Sequence, residues 1–327
     1  MAIRRHLKAA RRLLIPLLPL SVVAPARRDI VIKYDSISTN PVVASDFADP
    51  SLINVEGVWY SFASSTTRDG TAYNIQLAMS YDFLSWSLSD WDALAFIPDW
   101  VNSTSAQFWA PDVSQVDDGS FVMYYSARAN NVGRHCIGAA VSPSIYGPFI
   151  PHSEPMFCPH STGGAIDPSS FRDADGQRYV VYKVDGNAVG NGGSCGNLVE
   201  PIVTTPIVLH KVWGDGIQLI DELGILILDR DDDDGPLVEA PSIIPKNGYY
   251  YLFYSSNCWS SNEYDVKCAV ATNVQGPYQK LGTIMETGTD NLTAPGGGSI
   301  AADGKHMVFH ANNGDHRSMH VGLYNFT

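Results

Sequence analysis

The stretch "DFADPSLINVEGVWYSFASS", residues 46–65, places a carboxylate, Asp49, directly before a proline and two apolar strands joined by a glycine turn. Taken alone, Asp49 reads as a turn residue, because Asp and Pro both favour turns. Four further stretches share the layout: "WAPDVSQVDDGSFVMYYSAR" from Trp109, "AIDPSSFRDADGQRYVVYKVDG" from Ala165, "VEAPSIIPKNGYYYLFYSSN" from Val238 and "PGGGSIAADGKHMVFHANN" from Pro295. Each opens on Pro or Gly with a short polar residue and enters an apolar strand. It then turns at a glycine (Gly57, Gly119, Gly176, Gly248, Gly304) and returns through Tyr, Phe and Val. Aromatic and β-branched strands flanking glycine turns signal hairpins.

The anchors Pro50, Pro111, Pro168, Pro241 and Gly298 stand 61, 57, 73 and 57 residues apart. A weaker hairpin follows each, as in "YNIQLAMSYDFLSW" and "KCAVATNVQGPYQ". Two hairpins per unit make a four-stranded antiparallel sheet. Five such units without helical periodicity predict an all-β, five-bladed β-propeller. A β-sandwich would not require five spaced copies. No linker interrupts residues 40–327, and the propeller of residues 46–327 reads as one domain. Residues 27–45 form an N-terminal segment whose "DIVIKY" (29–34) is suited to close the ring beside the C-terminal strand.

Residues 1–26 read as a signal peptide: five cations between Arg4 and Arg12, the apolar run "LLIPLLPLSVVA" and a small-residue "APA" site. The run is too short to span a bilayer, and Pro16 and Pro19 interrupt it, so a secreted protein rather than a membrane-anchored one is expected. The net charge of −13 argues against a nucleic-acid partner, which needs clustered Lys and Arg. In an oxidising compartment the five cysteines favour disulfides. Local spacing suggests Cys136–Cys158 and Cys258–Cys268, with Cys195 free. Three sequons, at Asn102, Asn291 and Asn325, are compatible with glycosylation.

In a propeller the innermost strands line the axis, so the residues that begin them converge at one mouth. Three of the five heads carry an acid just before the anchor: Asp49, Asp167 and Glu239. Glycoside hydrolysis needs a proton donor and a second carboxylate, and a third acid can tune the donor. One such acid is better explained as a turn residue. Three on one repeat point to catalysis.

"DFADPS", "FWAPDV", "GAIDPSSF" and "VEAPSI" resemble the blade-head motifs of glycoside hydrolase family 43, over residues from about 46 to the C-terminus. The resemblance implies an inverting hydrolase of α-L-arabinofuranosyl or β-D-xylosyl linkages. Asp49 would be the base, Glu239 the acid and Asp167 the acid that tunes and orients it. An α-L-arabinofuranosidase acting as a monomer on neutral plant cell-wall polysaccharide is the expected activity. β-Xylosidase, endo-arabinanase and a non-catalytic carbohydrate-binding propeller are the alternatives. His310 resembles an axial histidine that holds a central water or calcium ion, with no cofactor otherwise required. Arg317 resembles a sugar-facing arginine of blade five. Where many members carry a histidine in the fifth head, this chain has Gly297.

Phe108 and Trp109 are candidates for an apolar platform under a sugar; Trp91, Trp100 and Trp259 read as packing or rim residues, Trp259 in a loop that can border the cleft. The acidic run "DRDDDDG" (229–235) fails the EF-hand pattern at Asp234 and Ala240 and reads as a solvated loop. The loop "DGNAVGNGGSCGN" (185–197) reads equally as a wall of the site or as a merely flexible loop.

Overall fold

The computed structural model describes residues 32–130 and 133–326, so the signal-peptide reading of residues 1–26 lies outside the described residues. Five four-stranded antiparallel sheets follow one another along the chain, each ordered from its inner to its outer strand. The innermost strands are Ser51–Val55, Trp109–Gln115, Ala165–Arg172, Val238–Lys246 and Gly296–Ile300. The five-bladed expectation is met.

Blade five is the exception in its connectivity. Its outermost strand is Ile32–Ile37, which pairs antiparallel with His316–Phe326, Ile32 lying opposite Phe326. The ring is therefore closed by backbone hydrogen bonds between opposite ends of the described chain. A closed ring leaves only short, protected sheet edges.

The apolar residues divide into five clusters, one between each pair of neighbouring blades. Strand alternation explains the division. In the second strand of blade four, Tyr251 and Phe253 pack toward blade five, while Leu252 and Tyr254 pack toward blade three. Both faces are buried, which is why "YYYLFYSS" is apolar without a break. The Asn247–Gly248 turn that starts this strand has φ of 53° and 80°. Both central residues are left-handed, as a two-residue turn of type I′ requires.

The cysteines differ from expectation. Cys136 pairs with Cys158 as expected, but Cys258 pairs with Cys195, and Cys268 is the buried free thiol. Cys268 sits inside the strand Asp265–Ala271 opposite Phe253 and belongs to the core between blades four and five. Cys258 lies in the loop beyond Ser256, where it meets the blade-three loop carrying Cys195. Proximity along the chain was a sound guide to the first pair and a wrong one to the second.

The acidic run is also more than a solvated loop. Asp234 is buried and bonds Lys267 Nζ at 2.9 Å and Lys280 Nζ, and the Asp231 side chain caps the short 3-10 turn.

Candidate active site

At each blade head the residue before the anchor adopts a left-handed backbone: Asp49 (φ 54°), Ala110 (43°), Asp167 (56°), Ala240 (50°) and Gly297 (62°). In blades two to five the pairing register shifts at this point, the mark of a β-bulge. A bulge breaks the strict alternation of a strand and re-aims its side chains. Asp49 and Asp167 thus occupy one equivalent position, and Glu239 the position just before it. All three line the same cavity of ≈650 Å³.

The left-handed residues also bind the blades together. Each of their backbone N–H groups donates to the preceding blade: Ala110 to Ser64 Oγ (3.0 Å), Asp167 to Ser126 Oγ (3.0 Å), Ala240 to Asp167 Oδ2 (3.0 Å), Gly297 to Ser255 Oγ (2.9 Å) and Asp49 to His310 Nδ1 (3.1 Å). Ser64, Ser126, Ser255 and His310 hold one equivalent place at the end of each second strand. In blade three that place belongs to Lys183, opposite Ile166. An ammonium group cannot accept a hydrogen bond, so Asp167 takes over as acceptor and Lys183 turns to the acids.

Each carboxyl group sits in its own field. Burial alone would raise the pKa of Asp49, but the charge of Arg317, the nearby His310 and the Ser64 hydroxyl outweigh it and hold the group below the ordinary value. Arg317 bonds Asp49 Oδ1 at 2.8 Å, and Ser64 donates to Oδ2 at 2.6 Å. Asp167 is pushed well above the ordinary value by burial and then by the Glu239 charge, against the opposing pull of Lys183. Glu239 is 7% exposed, accepts from Lys183 Nζ at 2.9 Å and from the Tyr264 hydroxyl at 2.8 Å. Lys183 also meets Asp185 Oδ1 at 3.1 Å. The Glu239 charge thus disfavours a second charge on Asp167 beside it.

Two glycines make room for this arrangement. A Cβ on Gly296 would lie 1.9 Å from the Tyr264 ring, and one on Gly297 2.8 Å from the His310 ring. The residue that departs from the resembled pattern is thus the one that lets His310 reach Asp49.

Of the two axial partners that the resemblance implies for His310, a water or a calcium ion, the geometry suits the water. Its Nδ1 accepts the Asp49 N–H, so the neutral ring carries its hydrogen on Nε2, a buried atom without a protein partner. Burial first, then the Arg317 charge, lowers its pKa to about 3. A buried N–H donor suits a water molecule, not a metal ion. Among the described residues no three His, Cys, Asp or Glu side chains gather as a ligand set.

Trp109 lines the cavity and stacks on His135, ring centroids 3.8 Å apart, with Arg317 and Trp259 also on the wall. Phe108 does not belong there. It is fully buried and packs against Tyr125, 5.4 Å between centroids, in the core between blades one and two. The loop from Asp185 supplies Asp185, Asn187, Ala188 and Cys195 to the cavity wall. Asp112, a fourth head-strand acid, lies below, at the narrow axis; burial raises its pKa to about 6, and its Oδ2 accepts the Ser170 N–H and hydroxyl.

Lys183, Ser64 and Tyr264 escaped the sequence reading. Aligning the second strands would have exposed the first two, because Ser, Ser, Lys, Ser and His recur at one place. Tyr264 lies in an irregular loop with no repeat to mark it.

Comparison with known proteins agrees with this architecture. A thermostable family-43 glycoside hydrolase of known crystal structure superposes with a TM-score of 0.68 at 24% identity, covering 90% of this chain and 92% of that one. The chain is 28% identical over 263 residues to an extracellular endo-α-(1→5)-L-arabinanase of Thermotoga petrophila, spanning 70% of this chain but only 50% of that protein. It is 26% identical to an extracellular exo-α-(1→5)-L-arabinofuranosidase of Cellvibrio japonicus (84% of this chain, 79% of that one) and 29% identical to a xylosidase/arabinosidase of Humicola insolens (73% and 80%). The model of the family described as glycosyl hydrolases family 43 matches residues 38–325, and the chain belongs to that family.

Proposed function

We propose that the protein hydrolyses α-L-arabinofuranosyl linkages of plant cell-wall polysaccharide by a single inverting displacement, and that it acts outside the cell. The observation that carries this reading is the gathering, in one cavity, of Asp49, whose pKa is held below the ordinary value, with Glu239 and an Asp167 pushed well above it. Relatives named as arabinanases, arabinofuranosidases and xylosidases support the substrate class. Extracellular relatives and the two disulfides support the location.

In this mechanism Asp49 takes a proton from water as the water oxygen bonds the anomeric carbon. Glu239 protonates the leaving glycosidic oxygen as its bond to that carbon breaks. Arg317 and Ser64 fix Asp49, and Tyr264 and Lys183 fix Glu239. Asp167 accepts the N–H of Ala240, the residue after Glu239, and so orients that acid, while its carboxyl tunes it. Asp49 and Glu239 come from blades one and four, which are not neighbours in a five-membered ring. That origin favours the wide separation of about 6.5–9.5 Å that leaves room for water.

The test combines product stereochemistry with two variants. Proton NMR of the first sugar released from an α-arabinofuranoside should show the β-anomer. A good leaving group should partly rescue Glu239→Ala but not Asp49→Ala. Initial α-anomer, or near-normal turnover by either variant on an unactivated substrate, would overturn the mechanism.

A further inference from the structure

Trp259 and Arg317 wall two cavities, not one. Beside the catalytic cavity lies a second of ≈480 Å³, lined also by Asp46, Ser260, Asn312, Gly314, Asp315 and His316. It is bounded by the blade-four loop after Cys258, the last hairpin of blade five and the segment entering blade one. The Trp259 ring stays 50% exposed although the Arg317 guanidinium stands 5.2 Å from its centre. The same Arg317 bonds Asp49, so the wall between the cavities stands at the reacting bond.

The lining selects a class of ligand. A flat aromatic surface takes the C–H face of a sugar, and carboxylate, amide and hydroxyl groups take its hydroxyls. Two carboxylates, Asp46 and Asp315, make the cavity unfavourable for an anion. Its cationic side chains are already engaged: His316 bonds the Ala44 carbonyl at 2.8 Å and Asp315 at 3.1 Å, and Arg317 bonds Asp49. A neutral polyhydroxylated ligand remains.

We propose that this second cavity is a sugar subsite, in which Trp259, Asp46 and Asn312 hold a neighbouring residue of the same glycan chain across the Trp259–Arg317 wall. The proposal rests on the glycosidase reading above and sharpens it. The protein then acts on arabino-oligosaccharides in preference to isolated arabinosides.

Two variants test it. Ser260→Trp fills the cavity from an exposed position, and Asn312→Ala removes a hydroxyl partner. Each is compared with the wild type on nitrophenyl α-L-arabinofuranoside and on linear arabinotetraose. Both variants should raise KM for the tetraose by about tenfold and leave kcat/KM on the nitrophenyl glycoside within about twofold. Equal effects on the two substrates, or none on either, overturn the subsite while leaving the glycosidase reading intact. If the wild type cleaves neither, the glycosidase reading fails instead. Calorimetry with arabinotetraose and xylotetraose then decides: weaker binding of either by Ser260→Trp sustains the subsite, and equal affinity or no binding overturns it.

Discussion

Asp167 and Lys183 act on Glu239 with opposite sign, and this opposition can be measured. Asp167→Asn removes a carboxyl that, once ionised, disfavours a second negative charge on Glu239, so the acid function ionises earlier and the basic limb of the pH–rate profile moves down. Lys183→Met removes the cation that favours ionised carboxylates, so the same limb moves up, with kcat lowered at least tenfold through lost positioning. Limbs that move together, or not at all, would refute the network. His310 offers a test of stability. Its folded pKa of about 3 lies below the ordinary value of 6.5, so the unfolded chain binds the extra proton and stability falls as pH drops from 6.5 toward 3. At pH 4.5 this costs about 2–3 kcal/mol. His310→Gln keeps an acceptor for the Asp49 N–H but no titration, so its loss of unfolding free energy between pH 7 and 4.5 should be smaller by that amount. Equal losses in urea melts would remove His310 as the cause. At this scale the three acids were legible because they recur on a repeat. Phe108 was misread because adjacency to Trp109 says nothing about facing: the bulge at Ala110 turns Trp109 to the cavity and leaves Phe108 in the core.

The strands and turns were legible for a related reason: apolar alternation and glycine turns are local signals. Loops are not, and the Cys195–Cys258 bridge shows it, joining irregular segments of two blades 63 residues apart. It fastens the wall bearing Asp185 and Asn187 to the loop bearing Trp259 and Tyr264, all of which line the catalytic cavity. Closing a loop of that length restricts the unfolded chain by about 4 kcal/mol in the chain-entropy account. The double variant Cys195→Ser/Cys258→Ser should therefore melt several degrees lower and show a raised KM, because the two walls lose their tie. An unchanged melting temperature and KM would show that the loops hold each other without it. Cys268→Ser should leave KM alone, since Cys268 lies in the core and away from the cavity wall.

The whole molecule depends on a ring with no independent centre: five apolar wedges between blades, and five N–H bonds from each blade head to its neighbour. Loss of any one wedge frees two blades. Removing residues up to Ile37 strips the outer strand of blade five and exposes the pairing edge of His316–Phe326. Such a truncation should lower the melting temperature and promote association through the bared edge, as light scattering would report. An equally stable monomer would show the closing strand to be dispensable. The pairing of Ile32 with Phe326 has a further consequence. Two points far apart in the gene are adjacent in space, so the order in which the blades are encoded is arbitrary with respect to the fold. A circular permutant, with residues 32 and 326 bridged by a short flexible connector and the chain reopened at the Asn247–Gly248 turn, should assemble the same ring and keep its hydrolytic centre.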